Sequence, residues 1–239
     1  MGRYNFDKIV DRKHTKSLKY DFAVQRGKPA DVLPFWVADM DFEIPSELKQ
    51  VLLDRVNHGI FGYTESDDAY FNVLKEWFAS RFNWSIDKKW LVKTPGVVFA
   101  LAMAVRAFTK EGEGVLINQP VYYPFSMVID DNDRNLINVP LIQGADTYTI
   151  DFEGVERAIV EHNVTLFLLC NPHNPVGRVW TEDELKRLGD ICIKHNVIII
   201  SDEIHADFVW DGHKHTVFAD LGESYAEHCI VCTAPSKSF

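Results

Sequence analysis

The feature that most restricts what this chain can fold into is a series of short apolar runs that do not alternate, spaced by stretches of helical periodicity. WLVKT (90–94), VLINQ (115–119), LINVPL (136–141), TLFLLC (165–170), VIIISDE (197–203) and CIVCTA (229–234) each read as a strand. A strand with one wet face alternates apolar and polar residues, whereas a run that is apolar throughout is buried on both faces. Between these runs, PGVVFALAMAVRAF, residues 151–162 and TEDELKRLGDICIKHN read as helices; the last opens with a capping box, Thr181 at the N-cap and Glu184 three residues on. Doubly buried strands separated by helices imply an α/β three-layer α/β/α large domain with a mostly parallel sheet. Upstream, two amphipathic helices are expected. One runs from Ser46 to just before Gly59. The other runs from about Ser66 to Phe82, with Phe71, Leu74, Phe78 and Phe82 at helical spacing, and glycine-rich GIFGYTES joins the two.

The first forty-odd residues look irregular and end in PFWVADMDF before Pro45. The organisation expected is an N-terminal arm and part of a small domain over 1–45, then a large domain over 46–239. A parallel unit that stops at PSKSF, just after a strand, lacks the helix that would cover it, so the chain is expected to be part of a longer polypeptide.

Composition narrows the class of function. With 46% apolar and 25% charged residues in 239, this is the make-up of an ordinary globular chain. No apolar run reaches eighteen residues, and the first twenty residues carry scattered charge with no apolar core of a signal, so the expectation is a cytoplasmic protein without a membrane partner. Net charge is −10, unevenly spread: residues 1–30 hold eight Lys/Arg against three Asp/Glu, and the remainder 17 against 32. An acidic body argues against a nucleic-acid partner; the basic leader could dock on a second subunit. Cys229 and Cys232 form a C-x-x-C, but residues three apart on a strand point to opposite faces, so burial is expected and no metal site. His213 and His215, in DGHKH, read as surface residues of a polar turn.

Open parallel sheets bind ligands beyond the carboxyl ends of their strands. Each predicted strand is followed there by chemistry. Pro95-Gly96-Val97-Val98 opens a helix; Tyr122-Tyr123 follows VLINQ; NPHNPVG, with Asn174, follows TLFLLC; Asp202 and His205 follow VIIIS; Ser236 and Lys237 follow CIVCT. A lone lysine or aspartate at such a place is usually a surface residue or a cap. The conjunction is what matters, and pyridoxal phosphate gives each member a task. Amides at the helix opened by Gly96 would close on the phosphate. A tyrosine face would stack on the ring, Asn174 would donate to the phenolate oxygen, and Asp202 would keep the pyridine nitrogen protonated. Lys237 would form the imine and move the Cα proton.

The set PGVV, PVYYPF, NPHNPVGR, SDEIH and TAPSKSF resembles the class I/II aminotransferases, fold-type I of the pyridoxal-phosphate enzymes, over residues 30–239. WVADMDF and SDEIH resemble in particular the cystathionine β-lyase/cystalysin branch, which includes the maltose-regulon modulator. The resemblance implies Lys237 as the Schiff-base lysine, Asp202 as partner of the ring nitrogen, Asn174 as ligand of the phenolate oxygen and Tyr122 as the ring stacker. It implies phosphate binding by the amides of Gly96, Val97 and Val98, with hydroxyls from Ser236 and Thr233, and a homodimer in which Tyr63 reaches the neighbouring subunit's phosphate. His205 stands where many members carry a tyrosine. The arginine that grips the substrate carboxylate falls, by the same resemblance, after Lys237 and outside this sequence. The activity implied is a carbon–sulfur β-lyase acting on cystathionine or cysteine conjugates. The alternatives are an aminotransferase on the same scaffold, a modulator of a transcription regulator and, last, a zinc hydrolase using His173, Asp202 and His205.

Overall fold

The structure, a computed structural model, describes residues 4–238 and divides into two compact units, one made of residues up to Glu65 together with those from Pro235 on, the other of Ser66–Ala234. In the first unit the chain is mostly turns, with one helical turn at Leu18–Asp21 and a single longer helix, α1 (Ser46–His58), ended by Gly59 in the left-handed conformation. All of α1's residues are exposed, including Leu48, Val51, Leu52 and Val56, so its expected apolar face has no cover within this unit. The PFWVADMDF segment has no regular secondary structure. It is held by charge instead: Arg12 binds Asp39 and, at 2.7 Å, Asp41, while the buried Lys19 reaches Asp41 at 2.5 Å.

The second unit opens with α2 (Asp68–Phe82), capped by the Asp67 side chain, and α3 (Val97–Phe108). There follow β1 (Gly114–Ile117), α4 (Pro124–Asp130), β2 (Asn135–Asn138), α5 (Phe152–Glu161), β3 (Leu166–Cys170), α6 (Glu182–Lys194), β4 (Ile198–Asp202) and β5 (Cys229–Cys232). The five strands form one parallel sheet in the order β2-β1-β3-β4-β5. The pleat sends alternate residues to two separate cores. Val115, Ile117, Leu166, Leu168, Cys170 and Ile200 pack with Val97, Leu101 and Val105 of α3 and Phe125 and Ile129 of α4. Leu116, Phe167, Leu169 and Ile199 pack with Val155 and Ile159 of α5 and Leu185 and Leu188 of α6. The three-layer α/β/α reading therefore holds, as does the capping box at Thr181 and Glu184.

Two expectations fail. WLVKT is not a strand: Lys88–Trp90 is a 3-10 turn, Trp90 and Val92 are exposed, and Leu91–Thr94 joins no ladder among the described residues. Trp90 and Val92 face outward while Leu91 is partly buried, and strand propensity has no partner strand to act on. His215 is not at the surface but buried against Glu203. The two cysteines do point to opposite faces: Cys229, partly buried, packs against the α5–α6 core, and Cys232, buried, belongs to the α3–α4 core. Among the described residues, no three or more His, Cys, Asp or Glu are grouped to hold a metal, and no helix is long and apolar enough to cross a membrane.

Candidate active site at the carboxyl edge of the sheet

The strand order places the switch point between β1 and β3, because the chain leaves β1 outward to β2 and returns on the other side to β3. In open parallel sheets the crevice at that point is where ligands bind. The two loops that flank it are the ones carrying Tyr122 and Asn174. His173 joins them: its Nε2–H donates to the Pro120 carbonyl at 3.0 Å, and its ring stands edge-on to Trp180, 5.5 Å between centroids. Burial pushes the His173 imidazole down to about 4, so it is a neutral clamp between the β1 and β3 loops. Trp180 fixes the other end of the motif, its Nε1–H donating to the Cys170 carbonyl at 3.0 Å.

Asp202 is the last residue of β4 and only 6% exposed. Its register partners on either side are Cys170 of β3 and Cys232 of β5, so a carboxylate stands between two thiols on one face of the sheet. Burial, with the Asp202 charge added, pushes Cys232 up to about 12 and raises Cys170 further, so both remain protonated thiols. Tyr122, just ahead of α4 and half-exposed, has its phenol raised by partial burial, with Tyr123 and Asp202 adding to the effect. His205 is half-buried three residues after Asp202, and Asn174 is half-buried in the β3 loop. Gly96 is the N-cap of α3 without a side-chain cap, and a Cβ there would meet nothing within 4 Å. Val97 is buried and Val98 exposed.

In the other unit, Ser236 and Lys237 lie in the 3-10 turn Pro235–Lys237, and the Lys237 ammonium donates to the Ala38 carbonyl at 3.2 Å, within the WVADMDF segment. Lys19, with Arg12 and Tyr20 adding, lowers the Asp41 carboxyl below the ordinary range, which keeps that segment's ion pairs intact. Tyr63 is fully exposed on the same unit. Thr233, exposed, follows β5 in the second unit.

The class I and II aminotransferase model matches residues 30–239. The chain belongs to this family. Among this family's members, cystathionine beta-lyase PatB of Bacillus subtilis (strain 168) is 44% identical over 235 residues, 98% of this chain and 61% of that protein. Among solved structures, a PLP-bound putative aminotransferase from Clostridium difficile 630 superposes with a TM-score of 0.94 at 44% identity, over 99% of this chain and 61% of that one. Cystalysin from Treponema denticola, which contains a pyridoxal 5'-phosphate cofactor, gives 0.92 at 42% identity, over 99% and 60%. The chain thus spans about three fifths of the length of these relatives.

Sequence reasoning left three features of the two units unread. It weighed His173 only as a metal ligand, took His215 for a surface residue, and assigned no task to the aspartates of WVADMDF. For His215 a signal existed: it stands two residues before Val217 in extended chain, and both are buried.

Proposed function

We propose that the chain binds pyridoxal 5'-phosphate and serves a carbon–sulfur β-lyase that releases pyruvate, ammonia and a thiol from cystathionine or cysteine S-conjugates. The observation that carries the reading is Asp202, a carboxylate buried at the carboxyl edge of the sheet, in a chain 44% identical to a cystathionine beta-lyase. The residues present fit the cofactor. The uncapped start of α3 at Gly96–Val98 offers amides to a phosphate; Ser236 and Thr233 would add hydroxyls. Tyr122 offers a ring face, Asn174 and His205 polar groups for the phenolate oxygen, and Asp202 a charge that favours a protonated pyridine nitrogen. When bound, the cofactor supplies an aldehyde for a covalent link and a sink for the electrons left at Cα.

Lys237 is the residue proposed to hold the cofactor covalently and then to take the proton from the substrate's Cα. With a thiolate on Cβ, loss of that proton can be followed by departure of the thiolate, without a further acid on this chain. The second reading is an aminotransferase, in which Lys237 would carry the Cα proton onward and the bound cofactor would keep the amino group instead; the likeness to a putative aminotransferase favours keeping it. A modulator of a transcription regulator stays as a further proposal, tested by pull-down of that partner.

Three further parts belong to the same proposal. The whole protein would be a homodimer with Tyr63 serving the neighbouring subunit's phosphate. Residues 1–45 would belong to an arm and small domain and 46–239 to the large domain. The four free cysteines suit the reducing cytoplasm.

Borohydride reduction of the protein incubated with pyridoxal phosphate should leave a pyridoxyl group on the peptide holding Lys237; an adduct elsewhere, or none, rejects the assignment. L-Cystathionine supplied without a keto acid should give pyruvate over many turnovers. A single turnover that resumes only when a keto acid is added would make the enzyme an aminotransferase.

A further inference from the structure

Behind β4, on the side away from the two thiols, lies a group of buried polar residues to which the reading above gives no task. Ser201, Glu203 and His215 are 0%, 2% and 4% exposed. Every oxygen of the Glu203 carboxylate is engaged. Oε1 accepts from the Ser201 hydroxyl at 2.8 Å and the Phe218 amide at 2.9 Å, and Oε2 accepts from His215 Nε2 at 2.8 Å. The Phe82 ring closes on His215 edge-on, with centroids 5.5 Å apart. The other ring nitrogen, Nδ1, is buried and finds no partner among the described residues.

His215 thus donates through Nε2 to a carboxylate that also accepts from the Ser201 hydroxyl and the Phe218 amide, so every partner of Glu203 is a donor buried with it. A buried carboxylate is a poor way to gain stability. Its field reaches beyond its own strand: after burial, Glu203 helps to raise both Cys229 and Cys232.

The backbone shows what the charge is joined to. The Asp202 carbonyl accepts from the Asn171 amide at 2.9 Å, and the Glu203 amide donates to the Cys232 carbonyl at 2.8 Å. The Ile204 amide donates to Asp202 Oδ1 at 3.1 Å. Asn171 also donates its side-chain amide to the Thr216 carbonyl at 3.1 Å, in the segment that His215 and Phe218 tie to Glu203. The peptide plane between Asp202 and Glu203 is thus held at its carbonyl by Asn171 and at its amide by Cys232, and Asn171 is itself tied to the segment that His215 and Phe218 bind to the Glu203 carboxylate.

We propose that Glu203, held by His215, is a positioning residue for Asp202: it locks the turn that ends β4, so that the Asp202 carboxylate keeps one orientation, and it adds a second buried negative charge that favours a protonated pyridine nitrogen. The proposal rests on the reading of Asp202 as partner of that nitrogen. Glu203 does not touch the cofactor, and its effect passes through its neighbour.

The test uses the holoprotein loaded with pyridoxal phosphate carrying 15N in the ring, and reads the protonated fraction of that nitrogen from its resonance at one alkaline pH. Glu203→Gln should lower the fraction and weaken cofactor binding about ten- to a hundredfold, the loss of one hydrogen bond to a charged group. His215→Gln, which keeps an N–H donor, should stay close to the unsubstituted protein, while His215→Leu should follow Glu203→Gln. If Asp202→Asn moves the resonance and Glu203→Gln does not, Glu203 is only structural and the proposal falls while the reading of Asp202 stands. If Asp202→Asn leaves the resonance unchanged, the reading of Asp202 falls and takes the proposal with it. Should Glu203→Gln fail to fold, the His215 ring in the unsubstituted apoprotein decides: a neutral Nε2–H tautomer in its 15N spectrum supports the proposal, and an imidazolium, which would cancel the Glu203 charge, overturns it.

Discussion

Gly189, in the middle of α6, should reverse an ordinary rule. Glycine inside a helix is a burden, and replacing it with alanine normally gains about 1 kcal/mol. Here a Cβ would stand 2.6 Å from Tyr225 Cδ1, 2.7 Å from Tyr225 Cε1 and 3.2 Å from Phe218 Cζ. Those atoms belong to rings and cannot swing aside as a lysine end would. Tyr225 is anchored by its hydroxyl, which donates to Asp190 at 2.7 Å, and it meets Phe218 edge-on at 6.2 Å. Forcing a methyl into such a place costs about 1–3 kcal/mol. Set against the helix gain, Gly189→Ala should lose up to about 2 kcal/mol net, and Tm should fall by up to about 8 °C for a chain of this size. Thermal unfolding followed by circular dichroism gives the number directly. In the background of Tyr225→Ala the obstacle is gone, so the same alanine should turn neutral or stabilising, a non-additivity that marks direct contact. A rise in Tm for Gly189→Ala alone would refute the packing argument. The effect also bears on function, because Phe218 lends its amide to Glu203.

Three further outcomes follow from the same geometry. His173 is held down to about 4 against an ordinary 6.5, so the unfolded chain takes up its proton first and stability is lost as pH falls from about 6.5 to about 4; His173→Asn, which keeps a donor for Pro120, should remove up to about 3 kcal/mol of that acid sensitivity in urea titrations, and an unchanged pH profile would show that His173 is not the group responsible. Thr181→Ala should remove the capping box of α6 and cost about 1 kcal/mol, read as a shifted urea midpoint at constant m-value; no shift would mean that the first turn is held by packing alone. Trp180→Phe should weaken cofactor binding more than it lowers Tm, because the lost indole donor holds the Cys170 carbonyl at the root of the Asn174 loop; equal binding by fluorescence titration would disprove that link.

The strands and helices of the second unit were legible because their signals are local. Apolar runs, a Thr181–Glu184 capping box and helical spacing at Phe78 and Phe82 need no knowledge of distant residues. α4 was overlooked although it carries a start signal, Pro124 at its first position. WLVKT misled because strand propensity says nothing about whether a neighbour exists to pair with. His215 misled for the opposite reason: its near surroundings, DGHKH, are polar, and only Glu203, twelve residues earlier, explains its burial. Asp202 and Asn174 were singled out by their places after strands that the structure contains, and Gly96 by its place after WLVKT, which is not one, whereas the clamp of His173 on Pro120 depends on a contact across fifty-three residues.

The aspartate between two thiols also makes the protein its own spectrometer. Cys170 and Cys232 keep their protons, one on each side of Asp202 in the register of the sheet. An S–H bond vibrates in a window of the infrared where neither water nor the amide backbone absorbs strongly, and its frequency shifts with the local electric field. Each sulfhydryl is therefore a label-free voltmeter on the central carboxylate, distinguishable from the other by substituting one cysteine at a time. Ligands that change the charge beside Asp202 would be visible in those two bands without any chromophore.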